Sequence, residues 1–139
     1  MSMTMHVNIV SAESEIYSGT VTQVFAPAEM GEVGVMPRHA PMLSTLKAGV
    51  VRVIPLEGEE QTFFVSGGIL EIQPHVVTIL SDTALRAADI DEAAALEAKS
   101  RAETAMKDKA SDMDYAKAKS ELIEAVAQIE VLKKIRKNK

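Results

Sequence analysis

The sequence contains no cysteine. Disulfide bonds, thiolate metal sites and a cysteine nucleophile are therefore excluded, and the composition fits a reducing compartment. No apolar run approaches the roughly 18 residues that a membrane-spanning helix needs. The N-terminal stretch MSMTMHVNIV has neither a basic start nor a continuous apolar block, so we expect no secretory signal and no transit peptide.

Basic residues are scarce before the last third of the chain. Residues 1–86 contain four Lys and Arg against nine Asp and Glu. A surface so poor in cations can neutralise few phosphates, so we expect no nucleic-acid partner for this part. The C-terminal segment KKIRKNK reverses the balance, with five basic residues and no acidic one.

Short apolar segments dominate residues 1–86. From Met3 to Ile9, apolar and polar residues alternate, which is the period of a half-buried strand. Further apolar runs follow at TVTQVFA, VVRVI, TFFV, ILEI and VVTIL. Turn signals separate the runs at Ser18-Gly19, Ala48-Gly49, Glu57-Gly58, Gly67-Gly68 and Gln73-Pro74. This pattern predicts a mainly β domain, an antiparallel β-sandwich or barrel over residues 1–86.

Glycine and proline are absent from residues 87–139. The Ala, Glu and Lys content of this segment predicts two helices. Asp89 and Glu92 are placed as a capping box, so we expect the first helix to run from about Ile90 to about Lys109. Two helices of roughly 20 residues with a short connection predict an antiparallel helical hairpin.

The second helix is expected to be capped by Ser111 or Asp112. Its apolar residues recur at the spacing of a coiled-coil seam: Tyr115, Ala118, Leu122, Ala125, Ile129 and Leu132. The first helix offers only alanines to this seam: Ala95, Ala98, Ala102 and Ala105. Alanines bury little apolar area, so the hairpin should form but open at modest cost. A second stripe either docks on the sandwich or awaits another protein: Ile123, Ala127, Val131 and Ile135.

The sequence shows no pattern of catalytic residues. Its three histidines neighbour no carboxylate cluster and form no metal-binding motif. Ser66-Gly67-Gly68 lacks the frame of a nucleophile elbow and is better explained by positive φ at a hairpin. Arg52 and Glu71 stand alone in strand patterns and are interpreted as solvated. We expect neither a metal site nor an enzyme; the alternative is an enzyme or small-molecule carrier on the sandwich, with the helices as a lid.

The stretch MGEVGVMPRHAPML, residues 30–43, combines glycines, prolines, an arginine and a histidine. Gly31 and Gly34 permit tight turns and the prolines fix φ, which predicts a rigid, partly apolar protrusion. The stretch lacks the spacing and the lysine of a phosphate-binding loop. Polar residues lie around its apolar ones, an arrangement typical of protein recognition: Glu29, Glu32, Arg38 and His39.

Three motifs occur in order and span most of the chain: GEVGVMPRHAPML, SGGILEIQPHVVTILSDTA and DIDEAAALEAK. Together they make the sequence resemble the epsilon subunit of bacterial F-type ATP synthase. This sequence differs from the family at position 38, where it has arginine and the family has glycine or asparagine. The resemblance implies a non-catalytic rotor subunit of a proton-translocating complex, without a cofactor. Such a subunit is peripheral to the cytoplasmic face of the cell (inner) membrane.

The resemblance also implies a partner for each part of the chain. The sandwich, residues 1–86, would bind the gamma subunit and rest on the ring of c subunits. The ring-facing candidates are Glu29, Gly31, Glu32, Met36, Pro37, Arg38 and His39. The regulatory hairpin, residues 87–139, would extend along gamma to the alpha and beta subunits and oppose ATP hydrolysis. Its tail cations either pair with acidic residues of beta or only complement the helix dipole: Lys133, Lys134, Arg136 and Lys137.

Some epsilon subunits bind ATP in the folded hairpin through a motif of the form I/L-D-x-x-R-A. Here the corresponding stretch reads IDEAAA from position 90, so Ala94 stands where the arginine should be. A methyl group can neither neutralise a phosphate nor donate hydrogen bonds to it. Ile90, Asp91 and Ala94 therefore form a degenerate motif, and we expect that ATP at cellular concentrations does not hold the hairpin folded.

Overall fold

The computed structural model describes residues 3–108 and 112–137, and the side chains of 3–107 and 115–135. The described strands are β1 (Met5–Ser11), β2 (Glu15–Ala28), β3 (Gly31–Val35), β4 (Met42–Pro55), β5 (Gln61–Ile72), β6 (Val76–Ser81) and β7 (Ala84–Arg86). A 3-10 turn, Ala87–Asp89, leads into the helices α1 (Glu92–Asp108) and α2 (Asp112–Lys137). None of the described helices is long and apolar enough to cross a membrane.

The strands close into a barrel. Their order is β1-β6-β5-β4-β2-β3, and an additional pairing of β1 with β2 closes the path into a ring, with β7 attached to β5. All pairings are antiparallel except that of β1 with β6. The predicted fold class, a β-sandwich or barrel followed by a two-helix hairpin, is confirmed.

The alternating apolar residues of each strand form the barrel core. Met5, Val7 and Ile9 of β1 are at most 3% exposed, because a strand places every second side chain on one face. They join Phe63, Val65 and the inward residues of β4 and β6 in one cluster. This core forms without any residue of the helices.

Three of the predicted turns lie inside strands. Ser18-Gly19 belongs to β2, Ala48-Gly49 to β4 and Gly67-Gly68 to β5. Gly67 and Gly68 do have positive φ, at 118° and 133°, but they bend a continuous strand and do not make a hairpin. The predictions at Glu57-Gly58 and Gln73-Pro74 coincide with real connections, between β4 and β5 and between β5 and β6.

Helix α1 begins two residues later than predicted and has a different cap. The side chain of Asp91 accepts a hydrogen bond from the backbone N–H of Ala94 at 3.1 Å, so Asp91 and not Asp89 is the N-cap. Asp89 ends the 3-10 turn instead. The predicted capping box of Asp89 and Glu92 is therefore wrong, because the chain spends three residues in that turn before α1 starts.

The alanine seam joins the two helices as predicted in its central part, but Leu132, which was predicted to belong to it, packs with residues of the barrel instead. Ala95 and Ala102 of α1 and Ala118 and Ala125 of α2 are all buried, at 1–4% exposed. The seam loosens towards the connection, where Ala105 is exposed and Tyr115 is 39% exposed. The candidate cap Ser111 lies outside the described residues.

A second, smaller core lies between α2 and the barrel. Ala127 and Val131 of α2 pack with Val50 and Phe64 of the barrel and with Ile90. Leu132 and Ile135 are partly buried against the same cluster, whereas Ile123 remains 48% exposed. Of the two alternatives for the second stripe, the structure shows docking on the barrel for every member except Ile123.

Candidate functional site

The turn between β2 and β3 is anchored to β4. The backbone N–H of Glu29 donates a 3.0 Å hydrogen bond to the carbonyl of Thr45. Gly31 has φ of 131°, so its left-handed backbone makes the turn as predicted. Met30 at the tip is 99% exposed. The turn thus presents an acidic and an apolar side chain to solvent on a fixed backbone.

The segment after β3 is anchored by its own backbone. The N–H of Arg38 donates to the carbonyl of Pro74 at 2.9 Å, and that of His39 donates to Met36 at 3.1 Å. The His39 ring is held by a 2.7 Å hydrogen bond from Nδ1 to the carbonyl of Ala40. These bonds support the predicted rigidity of the protrusion.

Not all seven ring-facing candidates are equally available. Glu29, Met36 and Arg38 are exposed, whereas Gly31, Pro37 and His39 are half-buried. The carboxylate of Glu32 lies 3.7 Å from Arg52. Gly34 does not form a turn as expected, because it lies within β3 and its φ is not in the left-handed region. Its missing side chain leaves room for the ring of Phe25.

Arg52 is a residue whose role the sequence interpretation missed. Its guanidinium lies 4.3 Å from the ring centroid of Phe25. It donates a 2.9 Å hydrogen bond to Glu60 and also reaches Glu32. Arg52 is therefore not a freely solvated side chain: it joins β3 and the β4–β5 connection across the surface of β2 and β4. Glu60 lies eight residues after Arg52 on the other side of a hairpin, so the acidic residues at 57–60 could have indicated this pairing from the sequence.

Removal of the Arg52 guanidinium is expected to destabilise the barrel. We expect Arg52→Ala to lower the free energy of unfolding by about 1–3 kcal/mol, because it removes a stacking contact and a charged hydrogen bond. Arg52→Lys should recover part of this loss, since an ammonium stacks and pairs less well. Urea unfolding measures both. Lys47→Ala on the exposed side of the same strand is the control, and equal midpoints for Arg52→Ala and this control would contradict the assignment.

An exposed apolar strip crosses three neighbouring strands, on residues other than Val50 and Phe64, against which α2 packs. Leu43 of β4, Ile69 of β5 and Leu80 of β6 are 71%, 47% and 45% exposed. Ile69 lies directly opposite Leu80 in the ladder, and Thr45, two residues from Leu43, lies opposite Ile69. A shallow groove of about 290 Å³ borders this β4–β6 strip on the side of Val10 and Ser11. Exposed aliphatic side chains that lie near one another are typical of surfaces on which other proteins dock.

The two helices enclose an acidic cleft of about 670 Å³. Its lining includes Asp89, Asp91, Glu121 and Glu124 against a single cation, Arg101. Burial, and secondly the charge of Glu121, raise the pKa of Glu124 above its ordinary value. The cleft therefore resists further negative charge.

The three residues of the degenerate motif have separate structural positions. Ile90 is buried in the second core, Asp91 caps α1 and Ala94 lines the acidic cleft. Asp91 also lines the cleft, but its carboxylate is used by the cap. Ala94 is therefore the member of the motif at which a longer side chain could reach a ligand without removing a cap or a core residue.

The basic tail is described only in part. Lys133 and Lys134 are exposed, and neither is in an ion pair with another described side chain. The side chains of Arg136 and Lys137 lie outside the described residues.

The backbone N–H of His6 donates a 2.8 Å hydrogen bond to the carbonyl of His75, but the rings of His6 and His39 have other partners. His6 forms hydrogen bonds with Asn8 and Ser18 at 3.0 and 2.8 Å, and His39 bonds its neighbour's backbone. Within the described part of the chain, no group of three His, Cys, Asp or Glu could hold a metal ion.

Comparison with known proteins identifies the family. Residues 4–87 match the family described as ATP synthase, Delta/Epsilon chain, beta-sandwich domain. Residues 88–133 match ATP synthase, Delta/Epsilon chain, long alpha-helix domain. An ATP synthase epsilon chain of Nitrosococcus oceani is 64% identical over 99% of this chain and 98% of its own length. One of Thioalkalivibrio sulfidiphilus is 58% identical over 99% of each chain.

A solved structure shares the fold. A chain in the mitochondrial ATP synthase of Euglena gracilis, determined as OSCP/F1/c-ring in rotational state 1, superposes with a TM-score of 0.84. The match covers 94% of this chain and 82% of that chain at 18% sequence identity. Both domain matches and the identity to bacterial relatives agree with the resemblance found in the sequence motifs: the chain belongs to the epsilon-chain family of bacterial ATP synthases.

Proposed function

We propose that this subunit is a non-catalytic rotor component of a proton-translocating ATP synthase. Its barrel couples the gamma subunit to the ring of c subunits, and its helices restrain ATP hydrolysis by contact with the alpha and beta subunits. The complex holds it peripherally at the cytoplasmic face of the inner membrane. The observation that carries the proposal is the exposed β4–β6 strip beside a protrusion that backbone hydrogen bonds hold rigid.

The gamma subunit binds the β4–β6 strip. Leu43, Ile69 and Leu80 lie on three hydrogen-bonded strands, so the backbone beneath them is fixed and the surface cannot collapse to hide its side chains. A partner that covers them removes apolar area from water, which contributes about 25 cal/mol per Å².

The ring of c subunits meets the protrusion. Torque transmission needs a stiff contact and no reactive group. Stiffness comes from Pro37, the backbone hydrogen bond of Arg38 to Pro74, and the contacts of Arg52 with Glu32 and Glu60. The ring-facing set is Glu29, Gly31, Glu32, Met36, Pro37, Arg38 and His39.

The hairpin is a two-state element whose folded state is the one described above. Extension towards alpha and beta separates Val131 from Phe64 and Val50. Exposure of these side chains costs on the order of a few kcal/mol, an amount that contacts in the catalytic head can offset. In the extended state the cations of the tail pair with acidic residues of beta: Lys133, Lys134, Arg136 and Lys137.

Binding to gamma tests this function. We expect the combined substitutions Leu43→Glu, Ile69→Glu and Leu80→Glu to weaken binding of the full chain to gamma by about a hundredfold or more, because each buries a charge at the interface. Leu96→Glu is the matched control, since Leu96 is similarly exposed, at 49%, but lies on α1. Surface plasmon resonance on immobilised gamma measures both. Equal affinity of the triple variant and the control would refute the assignment of the strip.

ATP at cellular concentrations does not hold this hairpin folded. Triphosphate would enter a cleft lined by four carboxylates and one arginine, and the missing guanidinium at position 94 costs about 1.5–3 kcal/mol. We expect titration calorimetry with Mg-ATP to give a dissociation constant weaker than micromolar. Ala94→Arg should tighten it by about tenfold to a hundredfold. A wild-type constant at or below the micromolar range would overturn this prediction.

A further inference from the structure

Arg38 has an unusual backbone conformation for its residue type. Its φ is 67°, and it is the one described residue other than glycine with positive φ. The left-handed region brings Cβ of an L-residue close to the following carbonyl, a cost that glycine does not incur. In this conformation the backbone N–H of Arg38 donates a hydrogen bond to the carbonyl of Pro74. Glycine could make the same bond without strain.

Nothing within the described chain offsets this strain through the side chain. The exposed guanidinium of Arg38 is in neither of the two ion pairs that the described residues form, and it donates none of their side-chain hydrogen bonds. The acidic groups that could have paired with it are engaged elsewhere: Glu32 faces Arg52, and Glu71 accepts a hydrogen bond from Gln73. A strained residue whose side chain has no internal role is a candidate for an external one.

The surroundings of Arg38 suit a protein contact. Met36 and Met42 in the same segment are 44% and 36% exposed. Arginine among exposed apolar side chains is typical of residues that dominate binding at interfaces. Of the four basic residues in the first 86, Arg52 is held by Phe25 and Glu60, and Arg86 donates hydrogen bonds to Gln61 and Ile16. Arg38 and Lys47 are in neither of the ion pairs among the described residues, and of these two cations Arg38 is the one that lies in the protrusion.

We propose that Arg38 is a specificity residue that pairs with a carboxylate on a loop of the c ring. The inference rests on the proposed function, because it takes the ring as the partner of the protrusion. A guanidinium can bind a carboxylate through two parallel hydrogen bonds, which fixes orientation as well as adding affinity. The strain at Arg38 is thus retained for the contact and not for the fold.

The test separates stability from binding in one set of variants. Complexes of gamma with the full chain, wild type or variant, are titrated onto detergent-purified c ring, and thermal unfolding of each isolated chain is recorded. We expect Arg38→Gly to raise the midpoint of unfolding by about 2–4 °C while weakening ring affinity by about tenfold. The affinity of the variant should also fall less steeply with salt, because one ion pair is gone. Arg38→Lys should keep the strain and most of the affinity.

The control is Lys47→Gln, which removes the other free cation of the barrel. It should change neither the midpoint nor the affinity. The proposal would be overturned if Arg38→Gly bound the ring as tightly as the wild type, or if Lys47→Gln lost as much affinity as Arg38→Gly. Either result would leave the ring contact itself intact. A wild-type complex with no measurable ring affinity would instead refute the ring contact, and with it this inference.

Discussion

Truncation of the chain after Ala88 is expected to raise ATP hydrolysis by the assembled complex several-fold, while ATP synthesis driven by proton flow largely survives. The barrel core contains no residue of α1 or α2, so residues 1–88 should still fold and bind gamma through the β4–β6 strip. Under the proposed function the helices restrain hydrolysis, so their removal should release that restraint.

The truncated chain should nevertheless be less stable than the full one. Phe64 is fully buried and Val50 is 7% exposed, and both lose the cover of Ala127 and Val131. Loss of such cover costs on the order of a few kcal/mol and leaves an apolar patch. Phe64→Thr in the truncated chain should restore solubility, which controls for that patch. If the truncated chain still failed to bind gamma, the barrel would need the helices in order to fold. If hydrolysis were unchanged by the truncation, the helices would not be inhibitory.

Charge reversal in the full-length chain separates the tail from the rest of the hairpin. We expect replacement of Lys133, Lys134, Arg136 and Lys137 by glutamate to reproduce part of the rise in hydrolysis, because attraction to an acidic partner becomes repulsion. If this variant hydrolysed ATP at the wild-type rate while the truncated chain gave a higher rate, the cations of the tail would only complement the helix dipole and would not contribute to inhibition.

Gly68→Ala is expected to prevent the barrel from folding. The φ of Gly68 is 133°, and a Cβ on it would collide with the carbonyl oxygen of Leu80 on the neighbouring strand. Gly68 is paired with Leu46 of β4, and Leu80 is paired with Ile69 of β5 and with Val10 of β1. Neither backbone can therefore move without breaking these ladders. We expect a loss of more than about 4 kcal/mol of unfolding free energy, at the extreme of single substitutions.

Gly58→Ala is the matched control for this effect. Gly58 also has positive φ, 103°, but a Cβ on it would meet nothing within 4 Å. It should cost only about 1–2 kcal/mol for the backbone conformation. Urea unfolding followed by circular dichroism compares the stabilities of the two variants. Similar midpoints would show that the collision with Leu80 does not cause the loss of stability.

The glycines explain where sequence interpretation of the barrel succeeded and failed. The period-two apolar pattern predicted the strands, because burial on one face is a local property of the chain. The same glycines that looked like turns at positions 19 and 49 instead permit close packing: a Cβ would lie 2.9 Å from Tyr17 Oη and 2.9 Å from Cβ of Pro27, respectively. The contact of Gly49 with Pro27 joins two strands, whereas that of Gly19 with Tyr17 lies within β2. In both cases the residue type alone does not distinguish a glycine that makes room for a side chain from one that reverses the chain.

The candidate site shows the same division. The rigid protrusion and the alanine seam followed from residue types at short spacing. The role of Arg52 did not, because it depends on Phe25 and Glu32, more than 15 residues away in sequence. The β4–β6 strip was also missed, because exposure of Leu43, Ile69 and Leu80 follows from which face of each strand the core occupies.

Titration of the full-length chain into ATP synthase from which this subunit has been removed tests the central claim most directly. Bound chain, ATP hydrolysis and proton pumping are followed together. We predict saturation at a single chain per complex, with hydrolysis falling and proton pumping restored along the same binding curve. Absence of saturable binding, or saturation that leaves hydrolysis and pumping unchanged, would contradict the assignment of this chain as a coupling and inhibitory rotor subunit.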